Sequence, residues 1–440
     1  DRLQMKRSDI RKSTIYIISF SILFFIFIHL FSYFRSRGEE VKEVASAVSP
    51  RKGGVVWSDT LSNHSSAYTP LQKMDAEIQR FMQKWEVKGM SLAVMRNDSL
   101  LYAKGYGYAD MESGEKMDAS SVMRIASASK LVTAIAIMKL VEDKRLRLDS
   151  KVFGPEGILN DTSFTASIGD QRIRDITVDH LLQHKGGFGR GAGDPMFNTR
   201  EIIAAKGLSG APDNNQLTRI VLGRRLAFQP GNGRRYSNFG YMLLSLVIEK
   251  VTGKSYWDYV KEEVLEPAGA WKFRAGGTYF EDRTPGEVKY YAPDNELVEE
   301  YNGSGRMVSR VYGGSNIPAL LGAGGWVTSA PDLARLVAAT DGYAGVKDVL
   351  SRESIGILTE DNPDDKSCRG WVDVEKGIWR RTGTLSSTHS LIEKFPQNDC
   401  WVIITNSGNW KGHHFNTQLQ HLIDNLRSRY GASFPSRSLW

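Results

Sequence analysis

The sequence predicts an α+β protein whose domain is an α/β sandwich, with one antiparallel sheet built from both ends of the domain and flanked by helices. Short alternating runs typical of strands lie near residues 90–108 and again near 369–405. The segment between them, about 150–345, alternates helical patterns with Gly- and Asn-rich loops, which predicts an inserted, mainly helical lobe. A long apolar run near the N-terminus predicts a transmembrane helix ahead of this domain.

The composition excludes several classes of protein. Of the 440 residues, 41% are hydrophobic and 24% are charged, which suits a globular protein with a sizeable core and excludes a disordered or collagen-like chain. The formal net charge of +7 is concentrated beside the apolar run, because residues 1–12 carry +3 and residues 35–53 carry +2. The basic residues therefore flank a membrane segment rather than mark a nucleic-acid surface, and we expect no nucleic-acid partner.

The apolar run from Ser13 to Phe34 has 22 residues and no formal charge. A helix of that length spans a hydrocarbon core of about 30 Å. Basic residues precede it, so the positive-inside tendency puts the N-terminus in the cytoplasm and the domain on the periplasmic or extracellular side. A cleaved signal peptide is the alternative, since residues 45–47 (Ala-Ser-Ala) have the form of a cleavage site. We expect an uncleaved, single-pass anchor in the cytoplasmic membrane, because that site lies far beyond the run.

The chain is thus expected to divide into five segments. They are a cytoplasmic tail at 1–12, the anchor at 13–34, a linker at 35–66, a globular domain at 67–430 and a C-terminal tail at 431–440. In the domain, strands are expected at 90–96, 100–108, 369–374, 378–384, 388–395 and 401–405. Helices are expected at 71–85, 127–144, 173–184, 241–252 and 414–428.

The first chemical motif is the S-x-x-K pattern of Ser127 and Lys130, which precedes the apolar run 131–138. A serine that opens a helix has its hydroxyl near the positive end of the helix dipole. Lys130 shares the face of Ser127, so a partly desolvated amine can accept the serine's proton. The same pattern also suits a helix N-cap with an exposed lysine. Ser129 would point away from Lys130.

Two further motifs carry suitable groups. In an extended segment, Tyr236 and Asn238 face the same side, where a phenol can shuttle a proton and an amide can hold a substrate. Near the C-terminus, Arg381 can attract a carboxylate, and Gly383 lets a ligand approach the backbone. The N–H of Thr384 can pair with that of Ser127 as an oxyanion hole. Singly, these motifs also suit a turn with an N-cap and an ordinary edge strand.

Together and in this order, the three motifs resemble those of the serine β-lactamase and penicillin-binding superfamily. With tyrosine leading the second motif, the chain is similar to the class C branch and its esterase and D-peptidase relatives. Other stretches match that branch: ITVDHLLQH at 176–184, FQPG at 228–231, YSNFGYMLLSLVIEKVTG at 236–253, GAGGWVTSAPD at 322–332, and GW at 370–371 with WRRTGTLSSTHSL at 379–391. The resemblance covers about residues 67–427.

The resemblance implies a role for each motif. Ser127 would be the nucleophile, Lys130 the base and Tyr236 the proton shuttle. The implied substrate contacts are Asn238, Arg381, Thr382 and Gly383, and the implied oxyanion hole is formed by the N–H groups of Ser127 and Thr384. The chain departs from the family's pattern at Arg381, where Lys or His is commoner, at Ser386-Ser387, and at Lys185-Gly186. These departures leave the chemistry intact and bear on substrate choice.

Metal and disulfide chemistry are not expected. His180 and His184 have a spacing that can bind metal, but no third ligand is apparent, and packing is the preferred interpretation. We expect no cofactor. His389 lies close to the third motif and is a weaker candidate for the pocket wall. Cys368 and Cys400 would start strands at opposite ends of the sheet, which predicts two free thiols.

The leading hypothesis is a membrane-anchored serine hydrolase that forms an acyl-serine intermediate on amide or ester bonds. Its substrate would be a β-lactam, a D-amino-acid peptide or a small ester, and Arg381 slightly favours one with a carboxylate. The alternative is a penicillin-binding sensor or binding protein that is acylated without turnover. An inactive relative is less favoured, because all three motifs are intact.

Overall fold

The computed structural model describes residues 59–189, 193–294, 296–364 and 366–440. The predicted cytoplasmic tail, the anchor and most of the linker therefore lie outside the described residues. In the ranges just given, no helix has both the length and the apolar character needed to cross a bilayer.

The largest sheet in the described chain joins the two ends of the domain. The strands of the described chain are β1 Gly89–Arg96, β2 Ser99–Asp110, β3 Glu115–Lys116, β4 Met123–Arg124, β5 Arg274–Ala275, β6 Leu297–Glu299, β7 Met307–Ser309, β8 Trp326–Thr328, β9 Asp373–Glu375, β10 Ile378–Leu385, β11 Thr388–Lys394 and β12 Asp399–Thr405. The sheet order is β3-β2-β1-β12-β11-β10-β9, and its neighbours are antiparallel. Because β1 pairs with β12, the prediction of one sheet made from both ends is confirmed.

Helices cover both faces of this sheet. The α-helices are α1 Gln72–Trp85, α2 Ser129–Glu142, α3 Thr162–Ser167, α4 Val178–Leu182, α5 Thr199–Lys206, α6 Asn214–Leu222, α7 Asn238–Thr252, α8 Tyr256–Val260, α9 Glu266–Ala268, α10 Ala330–Ala338, α11 Arg352–Leu358 and α12 Phe415–Tyr430. Trp401 and Ile403 of β12 pack with α1 and α12, whereas Val402 and Ile404 pack with α2 and α10. The alternation follows from the period of two in a strand.

Two elements differ from the sequence prediction. The helix expected at 173–184 is divided into a 3-10 turn, Gln171–Asp175, and α4. Thr177 separates them in an extended conformation, and its hydroxyl caps α4 by accepting the N–H of His180. The strand expected at 369–374 shrinks to β9, because Gly370 has a φ of 81° where the backbone turns against α2.

The fold also extends beyond the expected domain boundaries of 67 and 430. The side chain of Asn63, expected in the linker, accepts the N–H of Gly105 at 2.7 Å and donates to its carbonyl at 3.1 Å. At the other end, the indole of Trp440 donates to the carbonyl of Asp98 at 2.8 Å. Neither segment has a clear strand or helix pattern, and their contacts with β2 and the β1–β2 turn show that they belong to the domain. Cys368 and Cys400 are buried free thiols.

Candidate active site

Ser127 lies in a 3-10 turn, Ala126–Ala128, that leads directly into α2. Ala126 has a φ of 48°, a left-handed conformation that is unfavourable for a residue with a side chain. This turn places Ser127 at the start of α2, where N–H groups have no partner within the helix. The nucleophile candidate is therefore presented at the positive end of a buried helix.

Lys130 is fully buried, and its amine lies against three acceptors. Its Nζ is 3.3 Å from Ser127 Oγ, 2.6 Å from Asn238 Oδ1 and 2.6 Å from the carbonyl of Ala323. A neutral amine has two N–H groups and one lone pair. The amide oxygen and the carbonyl oxygen can each take one N–H, which leaves the lone pair directed at Ser127 Oγ. This arrangement suits a base for the serine's proton.

The electrostatics of the site favour that neutral form. Burial lowers the pKa of Lys130 to about 8, and the positive charge of Arg381 acts in the same direction. The ring of Tyr236 lies 4.8 Å from Nζ. An amine with such a pKa is partly unprotonated near neutral pH, unlike a lysine at its ordinary value.

Tyr236 completes the contact with the nucleophile. Its hydroxyl is 2.8 Å from Ser127 Oγ and accepts from Arg381 Nη2 at 3.1 Å. Burial of the hydroxyl, the largest influence, raises the pKa of Tyr236, but the charges of Lys130 and Arg381 outweigh it and lower this pKa to about 8. The ring itself is 44% exposed and lines the cleft. Tyr236 therefore lies between the open cleft and the two buried basic side chains, Lys130 and Arg381.

The third motif forms the edge of the cleft. Leu385 and Thr388 flank the two-residue turn between β10 and β11, so they form a hydrogen-bonded pair. Backbone groups alternate in direction along a strand, and the N–H of Thr384 therefore points away from β11, towards the cleft. Gly383 lets β10 lie close to the turn that carries Ser127, since a Cβ at residue 383 would be 3.0 Å from the nitrogen of Ser127. Ser127 and Thr384 therefore both line the cleft, the placement that the expected oxyanion hole requires.

Arg381, expected to attract a substrate carboxylate, is buried beside the nucleophile. The residue is 1% exposed, and its Nε donates to the carbonyl of Ser127 at 2.8 Å while Nη2 holds Tyr236. The side chain lies beneath the motif because Arg381 and Gly383 share the face of β10 that packs on the start of α2. Two of its nitrogens therefore support the nucleophile and the phenol, and the residue also contributes to the wall of the cleft beside Ser127.

Sequence reasoning missed several residues of the cleft. A cavity of about 290 Å³ adjoins Ser127, and its wall includes Phe197, Leu320, Gly324, Val372, His413 and Asn416. Asn416 donates to Thr384 Oγ1 at 2.9 Å. Asp194 accepts the N–H of Asn238 at 2.5 Å. Gly324 belongs to the stretch 322–332 that matches the family, although the sequence predicted no role for it. The other residues belong to none of the matching stretches, so the sequence carried no signal for them.

The histidines have packing roles, and His389 also reaches a cavity wall. His184 is buried and accepts the N–H of Ser237, and its ring lies 4.4 Å from that of Tyr236. Burial holds the pKa of His184 well below its usual value, so it stays neutral beside Lys130. The N–H of Thr177 donates to His180. His389 lines a hollow that shares Phe197 and Thr384 with the cleft. In the described chain, no cluster of three metal-ligating side chains is found.

Comparison with known proteins agrees with this geometry. A sequence model of the family described as Beta-lactamase matches residues 74–366, two thirds of the chain. Protein flp from Staphylococcus aureus (strain MW2) is 31% identical over 199 residues, which cover 44% of this chain and only 36% of that protein. The chain therefore spans about a third of that relative's length.

Two solved structures share the fold. The D-alanine carboxypeptidase AmpC from Burkholderia cenocepacia has a TM-score of 0.61 at 15% identity, with 81% of this chain and 99% of that chain covered. The penicillin-binding protein from Bacillus halodurans has a TM-score of 0.59 at 19% identity, with 79% and 99% covered. At these identities the likeness concerns the fold alone.

Proposed function

This chain belongs to the β-lactamase family of serine hydrolases, and from that membership we propose that it cleaves amide or ester bonds through an acyl-serine intermediate on Ser127. One observation carries the proposal. The amine of Lys130 and the phenol of Tyr236 lie 3.3 and 2.8 Å from Ser127 Oγ. The phenol is within the reach of direct proton transfer, about 2.6–3.2 Å, and the amine lies at its outer edge, as is common before a substrate binds.

In the proposed acylation, Ser127 Oγ attacks the carbonyl carbon while its proton passes to the neutral amine of Lys130. The carbonyl oxygen becomes an anion, which the N–H groups of Ser127 and Thr384 stabilise. The proton then moves through Tyr236 to the leaving nitrogen or oxygen, whose bond to the carbonyl carbon breaks. The products are an acyl-serine and a free amine or alcohol.

Deacylation repeats these steps with water as the nucleophile. Lys130 and Tyr236 take the proton of water and return it to Ser127 Oγ as the acyl bond breaks. The sequence shows no glutamate motif for a separate deacylation base. The same two groups therefore serve both halves of the proposed reaction.

The proposed substrates are β-lactams, D-amino-acid peptides and small esters. The names of the structural neighbours, a D-alanine carboxypeptidase and a penicillin-binding protein, support the first two classes. The buried charge of Arg381 supports an anionic substrate through its field. The alternative is a penicillin-binding sensor or binding protein, which is acylated at Ser127 in the same way. It differs from the hydrolase only because the acyl-serine is not hydrolysed.

The proposal includes a membrane anchor at 13–34, with the domain on the periplasmic or extracellular side. It rests on the uncharged run and its basic flank, which lie outside the described residues. Carbonate extraction of membranes and protease accessibility of the intact chain test it. Release by carbonate, or protection of the domain inside spheroplasts, contradicts the anchor or its orientation.

The test of the chemistry is covalent labelling of the full chain. We expect a fluorophosphonate and a penicillin to modify Ser127, as mapped by mass spectrometry over time, and Ser127→Ala to abolish both adducts. Ser129→Ala is the matched control, because Ser129 Oγ accepts the N–H of Trp326 and faces away from the cleft. A transient penicillin adduct indicates turnover, and a persistent one indicates the sensor or binding protein. Absence of any Ser127 adduct with either reagent overturns the proposed function.

A further inference from the structure

Asp194 lies in the loop that follows α4, and its carboxylate is bound at both oxygens. Oδ1 accepts the N–H of Met196 at 3.0 Å, and Oδ2 accepts the N–H of Asn238 at 2.5 Å. Asn238 is the first residue of α7, so its N–H is one of the groups that a helix leaves without an internal partner. A carboxylate at that position satisfies the N–H and interacts favourably with the helix dipole.

The contact leads directly to the base. Asn238 Oδ1 accepts from Lys130 Nζ at 2.6 Å, so the backbone position that Asp194 holds also sets where this amide oxygen meets the amine. Asp194 and Lys130 also act on each other electrostatically, since the charge of each favours the charged form of the other. Burial raises the pKa of Asp194 and both backbone N–H groups oppose that rise.

We propose that Asp194 is a positioning residue for the reaction of Ser127, which fixes Asn238 against Lys130 and favours the charged form of the amine. This inference rests on the proposed function. The same loop carries Phe197, which lines the cleft, and the N–H of Phe197 donates to the carbonyl of Asp194. Asp194 thereby joins one wall of the cleft to the second motif.

Charges of opposite sign act on the amine of Lys130, and Asp194 supplies the negative one. The groups that act on or touch Lys130 are Arg381 on β10, Tyr236 and Asn238 at the start of α7, Tyr241 within α7, His184 after α4, and Asp194. His184 is neutral, so Arg381 and Asp194 are the fixed charges of opposite sign in this set. Arg381 favours the neutral amine, whereas Asp194 favours the ammonium form.

The test is Asp194→Asn in the full chain, measured as the second-order rate of fluorophosphonate labelling at Ser127 against pH. Loss of the negative charge makes the neutral amine available at lower pH. At acidic pH the labelling rate rises as Lys130 loses its proton, and we call this part of the profile the acidic limb. We expect it to move to lower pH by about half a unit, the pKa change that one partly screened charge produces. Asp194→Ala should move the limb likewise and also lower the plateau rate, about tenfold, because Asn238 loses its anchor.

Two controls separate positioning from general damage. Ser237→Ala removes the hydroxyl that caps α7 through the N–H of Gly240 without changing any charge, so it should leave the limb in place. Asp213→Asn removes a charge of the same kind from the N-cap of α6, and it should leave both limb and plateau unchanged. An unmoved limb in Asp194→Asn, or an equal shift in Asp213→Asn, overturns the inference.

A second readout does not depend on the reaction. With lysines labelled by ¹³C at Cε, NMR titration follows Lys130 directly, and its signal is assigned by its absence in Lys130→Arg. We expect this titration to move to lower pH in Asp194→Asn and to stay in place in Asp213→Asn. If Ser127 is never labelled, the proposed function fails, and the NMR titration still decides whether Asp194 acts on Lys130.

Discussion

Arg381→Met tests whether a buried charge prepares the nucleophile. Arg381 donates to the Ser127 carbonyl at 2.8 Å and to the Tyr236 hydroxyl at 3.1 Å, and its charge lowers the pKa values of both Lys130 and Tyr236. Methionine keeps an unbranched side chain as far as the position of Nε and has neither the charge nor the hydrogen-bond donors. The substitution should therefore raise both pKa values and move the acidic limb of the labelling rate upwards.

The size of the effect follows from the pKa of Lys130, about 8. At pH 7 about one amine in ten is then neutral. Two unit charges about 4 Å apart interact by about 4 kcal/mol at an effective dielectric constant of about 20, which sets an upper limit of about three pH units. Burial, and not Arg381, is the largest cause of the lowered pKa of Lys130. We therefore expect a rise of about one unit, which lowers the rate at pH 7 by about tenfold.

The assay is the second-order rate of fluorophosphonate labelling at Ser127 between about pH 5.5 and pH 10, with the thermal midpoint as a check on folding. Arg381→Lys is the matched control, because it keeps the positive charge and loses the planar fork. Its limb should stay near that of the unchanged protein. If the Met variant has an unmoved limb, or if the Lys and Met variants move equally, the electrostatic argument is wrong.

The remaining predictions concern Ser127, Gly383 and Gly356. Ser127→Ala should abolish labelling and turnover while the free energy of unfolding changes by no more than about 1 kcal/mol in a urea titration; equal turnover would remove the nucleophile assignment. Gly383→Ala should lower stability by about 1–3 kcal/mol and slow labelling sharply, because its Cβ would lie 2.3 Å from the carbonyl oxygen of Ile125. Gly356→Ala is its control in α11, where no atom lies within 4 Å of the new Cβ, and it should stabilise by about 0.5–1 kcal/mol without changing labelling. A Gly383→Ala variant that labels at the normal rate would show that the close edge of β10 is not needed.

Short-range patterns predicted the parts of the fold that depend on local geometry. The apolar runs at 90–96 and 401–405 predicted strands, and the structure confirms them as β1 and β12, which pair with each other. The three-residue spacing of Ser127 and Lys130 predicted a shared helix face, and their side chains meet at 3.3 Å. The prediction of one continuous helix at 173–184 was wrong at Thr177. There the side chain of Thr177 caps a new helix, α4, and the preceding turn does not continue into it.

By itself, the sequence determined the family and the three motifs, because residue types at fixed short spacings are read from neighbouring residues. The order of strands, helices and strands along the chain indicated the sheet built from both ends. Only the tertiary structure decided how those motifs are used. It buried Arg381 beneath the nucleophile and brought Asp194 to the start of α7. Each of these placements depends on packing between segments that are far apart in the chain, and no local pattern records which distant backbone will approach a given side chain.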